Sequence, residues 1–202
     1  MISYKGAFER VLKGHDQYRQ RRIKRRCIRS RVDDIIDKQY QVKKSQSMKV
    51  LLLLRRVLDQ MGLERTKMQK RFHNAFLRCS ALHIFKDDTE VNLARVMKLF
   101  KWDHLKQQVL CMTPRRFGKT TAVAMYCAAY IYCVPNCEIC IFSTGRRASQ
   151  KLLEQIHRLL LKLPNAKERI AKYNNEILNI HNISGSGVSK ISSYPSNAKT
   201  LR

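Results

Sequence analysis

The nine residues Thr113–Thr121, Thr-Pro-Arg-Arg-Phe-Gly-Lys-Thr-Thr, constrain this chain more than any other stretch. A group carrying several negative charges must be held by donors already in place. Backbone N–H groups at a helix start supply such donors, and the helix dipole adds to the attraction. In that setting Gly118 lets the backbone approach phosphate oxygens. Lys119 reaches the β- and γ-phosphates, and the Thr120 hydroxyl ligates Mg²⁺. The flanks agree: Val109–Met112 is a short apolar run that predicts a buried strand, and Ala122–Val134 is apolar enough for a buried helix. Strand, loop and helix follow one another in the order a phosphate-binding P-loop requires. One departure is the first position, where Thr113 stands in place of the usual glycine.

Beyond the loop the pattern alternates strands with helices, which predicts an α/β domain with a parallel sheet. Pro135-Asn136 breaks the chain, Glu138–Ser143 reads as a strand, and Arg146–Leu163 as a helix ended by Pro164. Asn174-Asn175 marks a turn. Glu176–His181 and Val188–Tyr194 read as two strands joined across Gly185 and Gly187. Residues 1–106 read instead as a basic, mostly helical N-terminal region, and 107–202 as the α/β part. Within the first, Val50–Leu54 with Val57, Leu58 and Met61 makes a helical apolar face that Gly62 ends. Thr66–Ala81 and Asn92–Phe100 read as further amphipathic helices.

The charge balance narrows the partner. Among 202 residues, 41 Lys and Arg face 15 Asp and Glu, a formal net charge of +26. Such a chain is expected to meet a polyanion, nucleic acid before a membrane surface. The densest stretch comprises Arg19, Arg21, Arg22, Lys24, Arg25, Arg26, Arg29 and Arg31. It suits phosphate contacts or a nuclear import signal, and equally a solvated basic arm. Met1–His15 is mixed polar, unlike a signal peptide. The longest apolar stretch is too short for a bilayer, so no membrane association is expected. Seven cysteines without secretory features point to an intracellular, reducing compartment and free thiols. Cys133, Cys137 and Cys140 lack the second ligand pair of a structural zinc site; Cys127, Cys133 and Cys140 read as small core residues.

Hydrolysis needs more than this loop: a carboxylate at the end of a second core strand to hold Mg²⁺, and a group to orient water. Every Asp precedes the loop, and only Glu138, Glu154, Glu168 and Glu176 follow it. None lies at the carboxyl end of an apolar strand, where ligand sites of α/β sheets sit. The sequence therefore predicts an incomplete ATPase domain.

Three segments carry a family resemblance. Thr113–Thr120 resembles the deviant P-loop of viral terminase large subunits, the motors that package DNA into capsids, and in particular the herpesvirus-type form with Pro-Arg-Arg-x-Gly-Lys-Thr. Ile139–Ser149 resembles the strand, turn and helix that follow in those proteins. Ile191–Arg202 resembles the segment just ahead of their acidic Walker B strand. The resemblance covers Val109–Arg202. It implies a P-loop NTPase fold of the ASCE type, with ATP and Mg²⁺ held by Thr113, Pro114, Arg115, Arg116, Phe117, Gly118, Lys119, Thr120 and Thr121. Arg115 matches an arginine that some members set against the γ-phosphate, with Arg116 the alternative. An upstream Gln reads adenine in the family, and Gln107 and Gln108 are candidates for it.

The resemblance further implies double-stranded DNA, a portal, other terminase subunits and further copies of this chain as partners. The implied location is the host nucleus for the herpesvirus-type form and the host cytoplasm otherwise. The family's Walker B acids and nuclease carboxylates have no counterpart, which suits a first-exon product or a shortened chain and predicts no activity for it alone. Rival readings are another P-loop nucleic-acid ATPase, such as a helicase, and a non-catalytic DNA-binding or assembly fragment.

Overall fold

The computed structural model describes residues 45–88 and 90–195. The Arg19–Arg31 cluster and Ser196–Arg202 lie outside the described residues. Those described fall in one compact unit that begins at Lys44.

Two helices open it. The first, α1 (Gln46–Gln60), starts where the Ser45 hydroxyl accepts a hydrogen bond from the Met48 N–H at 3.3 Å. Val50, Leu51, Leu54, Val57 and Leu58 recur at helical spacing and are all buried. The second, α2 (Lys67–Ile84), begins with a reciprocal cap. Gln69 N–H donates to Thr66 Oγ1 at 3.2 Å, and Thr66 N–H to Gln69 Oε1 at 2.9 Å. Its buried stripe is His73, Leu77, Ala81 and Ile84. A shorter helix, α3 (Glu90–Phe100), is followed by Trp102 stacked on Phe100.

The central element is α4 (Lys119–Cys133), nine of whose fifteen residues are buried. A helix apolar on all sides needs cover on all sides. Here α1 and α2 pack on it from one direction, and α5 (Arg146–Leu160) and the sheet from the other. Residues of α1 and α2, from the stretch expected as an N-terminal region, thus share one hydrophobic core with the α/β elements.

The sheet has four strands in the order β1-β4-β3-β2: β1 (Glu138–Ser143), β2 (Ile170–Tyr173), β3 (Ile177–His181) and β4 (Val188–Pro195). A short helix α6 (Ala166–Arg169) leads into β2. The expected parallel sheet is corrected to a mixed one. Only β1 and β4 run parallel, and β4, β3 and β2 form an antiparallel meander. The cause is connection length. Tight turns at Asn174-Asn175 and around Gly185–Gly187 can join only antiparallel neighbours, whereas β1 reaches β4 through the long excursion that includes α5. One sheet face carries Ile141, Leu178, Ile180 and Ile191 into the core under α5. The other leaves Cys140, Phe142 and Tyr194 exposed. The expectation of Cys140 as a core residue is therefore overturned: period-two alternation places it on the face away from the buried Ile141.

A second correction concerns Val109–Met112, which joins no strand of the sheet. Leu110 is 87% exposed and Met112 82%. Apolar composition marks residues that gain from burial, but a strand exists only with a neighbour's ladder, and no described residue offers this segment one. At the amino ends of β1 and β4 a polar lock closes the sheet. Asn182 Nδ2 donates to Asn136 Oδ1 at 2.8 Å, and Asn136 N–H donates to Asn182 Oδ1 at 3.2 Å. The buried Ser189 hydroxyl accepts from Cys137 N–H and lies 3.1 Å from Val134 O.

Candidate functional site

From Thr113 the backbone passes through Pro114 and reverses across Arg115–Phe117 into α4. Two residues take left-handed backbone angles within three positions: Arg116 at φ 63° and Gly118 at φ 78°. The second is the N-cap of α4, and no side chain caps that helix. Its first N–H groups, at Lys119, Thr120 and Thr121, thus have no side-chain acceptor from the cap and are free to serve an anion. Lys119 folds back over the loop, its Nζ donating to Thr113 O at 3.0 Å. The loop is therefore closed on itself across six residues, with an ammonium group at its mouth.

Arg115, Arg116, Lys119 and Thr120 are exposed and Thr113 is half-buried, its Oγ1 shielded from solvent with no hydrogen-bond partner among the described residues. A buried hydroxyl without a partner costs about 1–3 kcal/mol, so this loop holds an unfilled polar position. Thr121 turns the other way, its Oγ1 accepting from Gln155 Nε2 of α5 at 3.1 Å. The sequence-predicted residues from Thr113 to Thr121 thus gather into one loop and helix start.

Beside the loop opens a pocket of about 210 Å³. Met68, Phe72 and Ala75 of α2 face Leu110, Met112 and Phe117 across it, with Lys119 at the edge. Its walls are largely apolar, and its size suits one flat ring system better than a whole nucleotide. The Gln69 side chain lies against the loop so closely that a Cβ on Gly118 would sit 2.8 Å from Gln69 Nε2. Gln107 and Gln108 are exposed and do not line this pocket. The Gln69 side chain is itself held by the cap of α2, its Oε1 accepting from Thr66 N–H.

Behind the pocket His73 ties α2 to α4. Its Nε2 donates to Ala122 O at 2.8 Å, and its Nδ1 accepts from Arg65 Nη1 at 2.9 Å. An arginine can only donate, so the tautomer with hydrogen on Nε2 follows. Arg65 in turn donates to Asp59 Oδ1 at 2.5 Å. Burial of the ring, aided by the Arg65 charge, pushes the His73 pKa down to about 4, against the opposing pull of the Ala122 carbonyl and Asp59. The imidazole is neutral at ordinary pH and acts as a strut from α2 to the turn after Lys119.

The acids stay away from the loop. Glu138 begins β1 and pairs with Lys190 at 3.2 Å. That end of β1 follows the carboxyl end of α4, about 20 Å of helix from Lys119. Glu154 pairs with Arg158, Glu176 with Arg146, and Glu168 is exposed on α6. Among the described residues no carboxylate lines the pocket, and no three His, Cys, Asp or Glu side chains gather as metal ligands. Nor, among them, is any helix long and apolar enough to cross a membrane. Comparison with known proteins finds no matching family model and no matching curated protein.

Proposed function

We propose that this chain is part of the ATPase portion of a viral terminase large subunit of the herpesvirus type, with a P-loop NTPase fold. The observation that carries the reading is the loop itself. An uncapped start of a long buried helix, two left-handed residues and a lysine curled over the loop mouth together make a receptor for the phosphates of ATP. Lys119 and the first amides of α4 hold the β- and γ-phosphates, Thr120 offers its hydroxyl to Mg²⁺, and Arg115 or Arg116 faces the γ-phosphate. The residues present fit the phosphates and half of the Mg²⁺ site, since no described carboxylate completes it. The apolar pocket at Met68, Phe72 and Phe117 receives the base.

In the complete motor, ATP hydrolysis moves double-stranded DNA into a procapsid in the host nucleus. The chain acts there with a portal, other terminase subunits and further copies of itself. The exposed Leu110 and Met112, together with the sheet edge that β1 leaves open among the described strands, support a further strand beside them that brings the missing acid.

The test is calorimetric titration of MgATP into the chain and into Lys119→Ala. Losing a charged donor to phosphate weakens binding about tenfold to a hundredfold, the equivalent of about 1.5–3 kcal/mol. Unchanged affinity in a folded variant would remove the loop from consideration. The same preparations should release no phosphate in a Lys119-dependent way, and sustained turnover would show that an acid does reach the site.

A further inference from the structure

On the far side of α5 from the core, Arg147 and Lys151 stand one helical turn apart. They line an open pocket of about 350 Å³ whose opposite wall is Tyr173, Asn174 and Asn175 of the β2–β3 turn. The neighbouring charges are already spent: Arg146 pairs with Glu176, and Arg158 with Glu154 at 2.5 Å. Among the described residues no carboxylate pairs with Arg147 or Lys151. Asn174 uses its Oδ1 on the Glu176 and Ile177 N–H groups at 2.9 and 2.7 Å, leaving its amide hydrogens as donors. The Tyr173 ring is held flat on His157, centroids 3.7 Å apart at 12°. The pocket therefore offers two cations and fixed neutral donors, and its one acid is engaged.

We propose that this face of α5 and the β2–β3 turn binds the phosphodiester backbone of a nucleic-acid duplex. A small anion needs enclosure, whereas a polymer gains from weak contacts repeated along an open face. The chain's net charge of +26 favours a polyanion. Four residues of helix advance about 6 Å, so Arg147 and Lys151 span roughly two phosphates of one strand. Position adds to the case. Ile177, next to the turn, pairs with Ser192 near the carboxyl end of β4, so the turn shares the sheet end from which α5 departs. One turn beyond Lys151, Gln155 touches Thr121 beside the phosphate loop.

The proposal rests on the nucleic-acid half of the reading above. If the unaltered chain fails to bind DNA, that reading falls; if the variants bind like the unaltered chain, this proposal alone falls. The experiment measures binding of the full chain to a 20-base-pair duplex and to a single strand of equal length, at several salt concentrations. The variant is Arg147→Gln/Lys151→Gln, which suits a helix and keeps the side chains long. Two lost phosphate contacts lower the slope of log K against log salt by about 1.8. The loss of affinity between 50 and 200 mM salt thus becomes about tenfold smaller. Arg147→Glu/Lys151→Glu should bind more weakly still, with far-ultraviolet circular dichroism confirming the fold of both. An unchanged slope in folded variants overturns the proposal, and so does an effect confined to single strands or to one duplex sequence.

Discussion

The most exposed consequence of the core around α4 is its response to acid. His73 is 2% exposed, neutral, and committed to Ala122 O and Arg65. Its pKa in the folded chain is about 4, against 6.5 for a free imidazole. Between these values the unfolded chain takes up a proton that the native chain refuses, so stability falls as pH falls. The contribution is fully present above about pH 6.5 and lost as pH drops through about 4. Applied to the two pKa values, the linkage relation gives a loss of about 2 kcal/mol between pH 7.5 and 5, rising to about 3 kcal/mol near pH 4. His83 and His157 are also lowered by burial and act in the same direction. Urea melts across this range should therefore compare the unaltered chain with His73→Gln, whose side chain can still donate to Ala122 O but does not titrate. The variant is less stable at neutral pH, and the gap narrows by about 2 kcal/mol at pH 5. Parallel pH profiles in the two proteins would mean that His73 is not held neutral by its surroundings, and the strut from α2 to α4 would lose its basis.

Two further outcomes test other parts of the core. Gly187 has φ 85°, and a Cβ there would meet Asn136 Oδ1 at 2.2 Å, so Gly187→Ala should cost about 2–3 kcal/mol by breaking the amide lock. Gly185→Ala, where nothing lies within 4 Å, should cost only the backbone strain of about 1 kcal/mol; equal losses in thermal melts would discount the lock. Burial pushes the thiols of Cys127 and Cys133 up to about 12 and that of Cys137 up to about 11, whereas Cys140 is exposed. Iodoacetamide at pH 8 should label Cys140 well before those three, as read by peptide mass spectrometry, and early labelling of Cys133 would contradict the packing of α4.

The parts of this fold legible in the sequence are those whose cause is local. Glu138–Ser143 matches β1 residue for residue because its apolar run Ile139–Phe142 and the flanking turns at Pro135-Asn136 and Thr144-Gly145 are all local signals. Gly118 falls where α4 begins because only a residue free of Cβ strain takes φ 78° there at little cost. What escaped depends on partners distant in the chain. Ile170–Tyr173 is a strand only because β3 supplies its ladder, since its own residues are mostly exposed. Val109–Met112 fails as a strand for the converse reason: apolar residues without a ladder. In the candidate site the loop was legible from Thr113 to Thr121. The wall formed by Met68, Gln69 and Phe72 was not, because nothing near the loop signals that α2 lies against it.

These same long-range contacts decide what α4 can transmit. Its first turn is gripped from two sides: Ala122 O by His73 of α2, and Thr121 Oγ1 by Gln155 of α5. A displacement of Lys119–Thr121 on binding an anion has to be shared with both neighbours or break a hydrogen bond to one. The buried His73 contact is the stiffer, since breaking it leaves the buried His73 N–H donor without water, at about 1–3 kcal/mol. The Thr121–Gln155 contact is part-buried and more readily exchanged for water. The physical asymmetry therefore runs toward α5: α2 anchors the loop, and α5 is the element free to answer it. Lys151 and Arg147 project from α5 about one and two turns ahead of Gln155, so a shift of that helix moves both cations together.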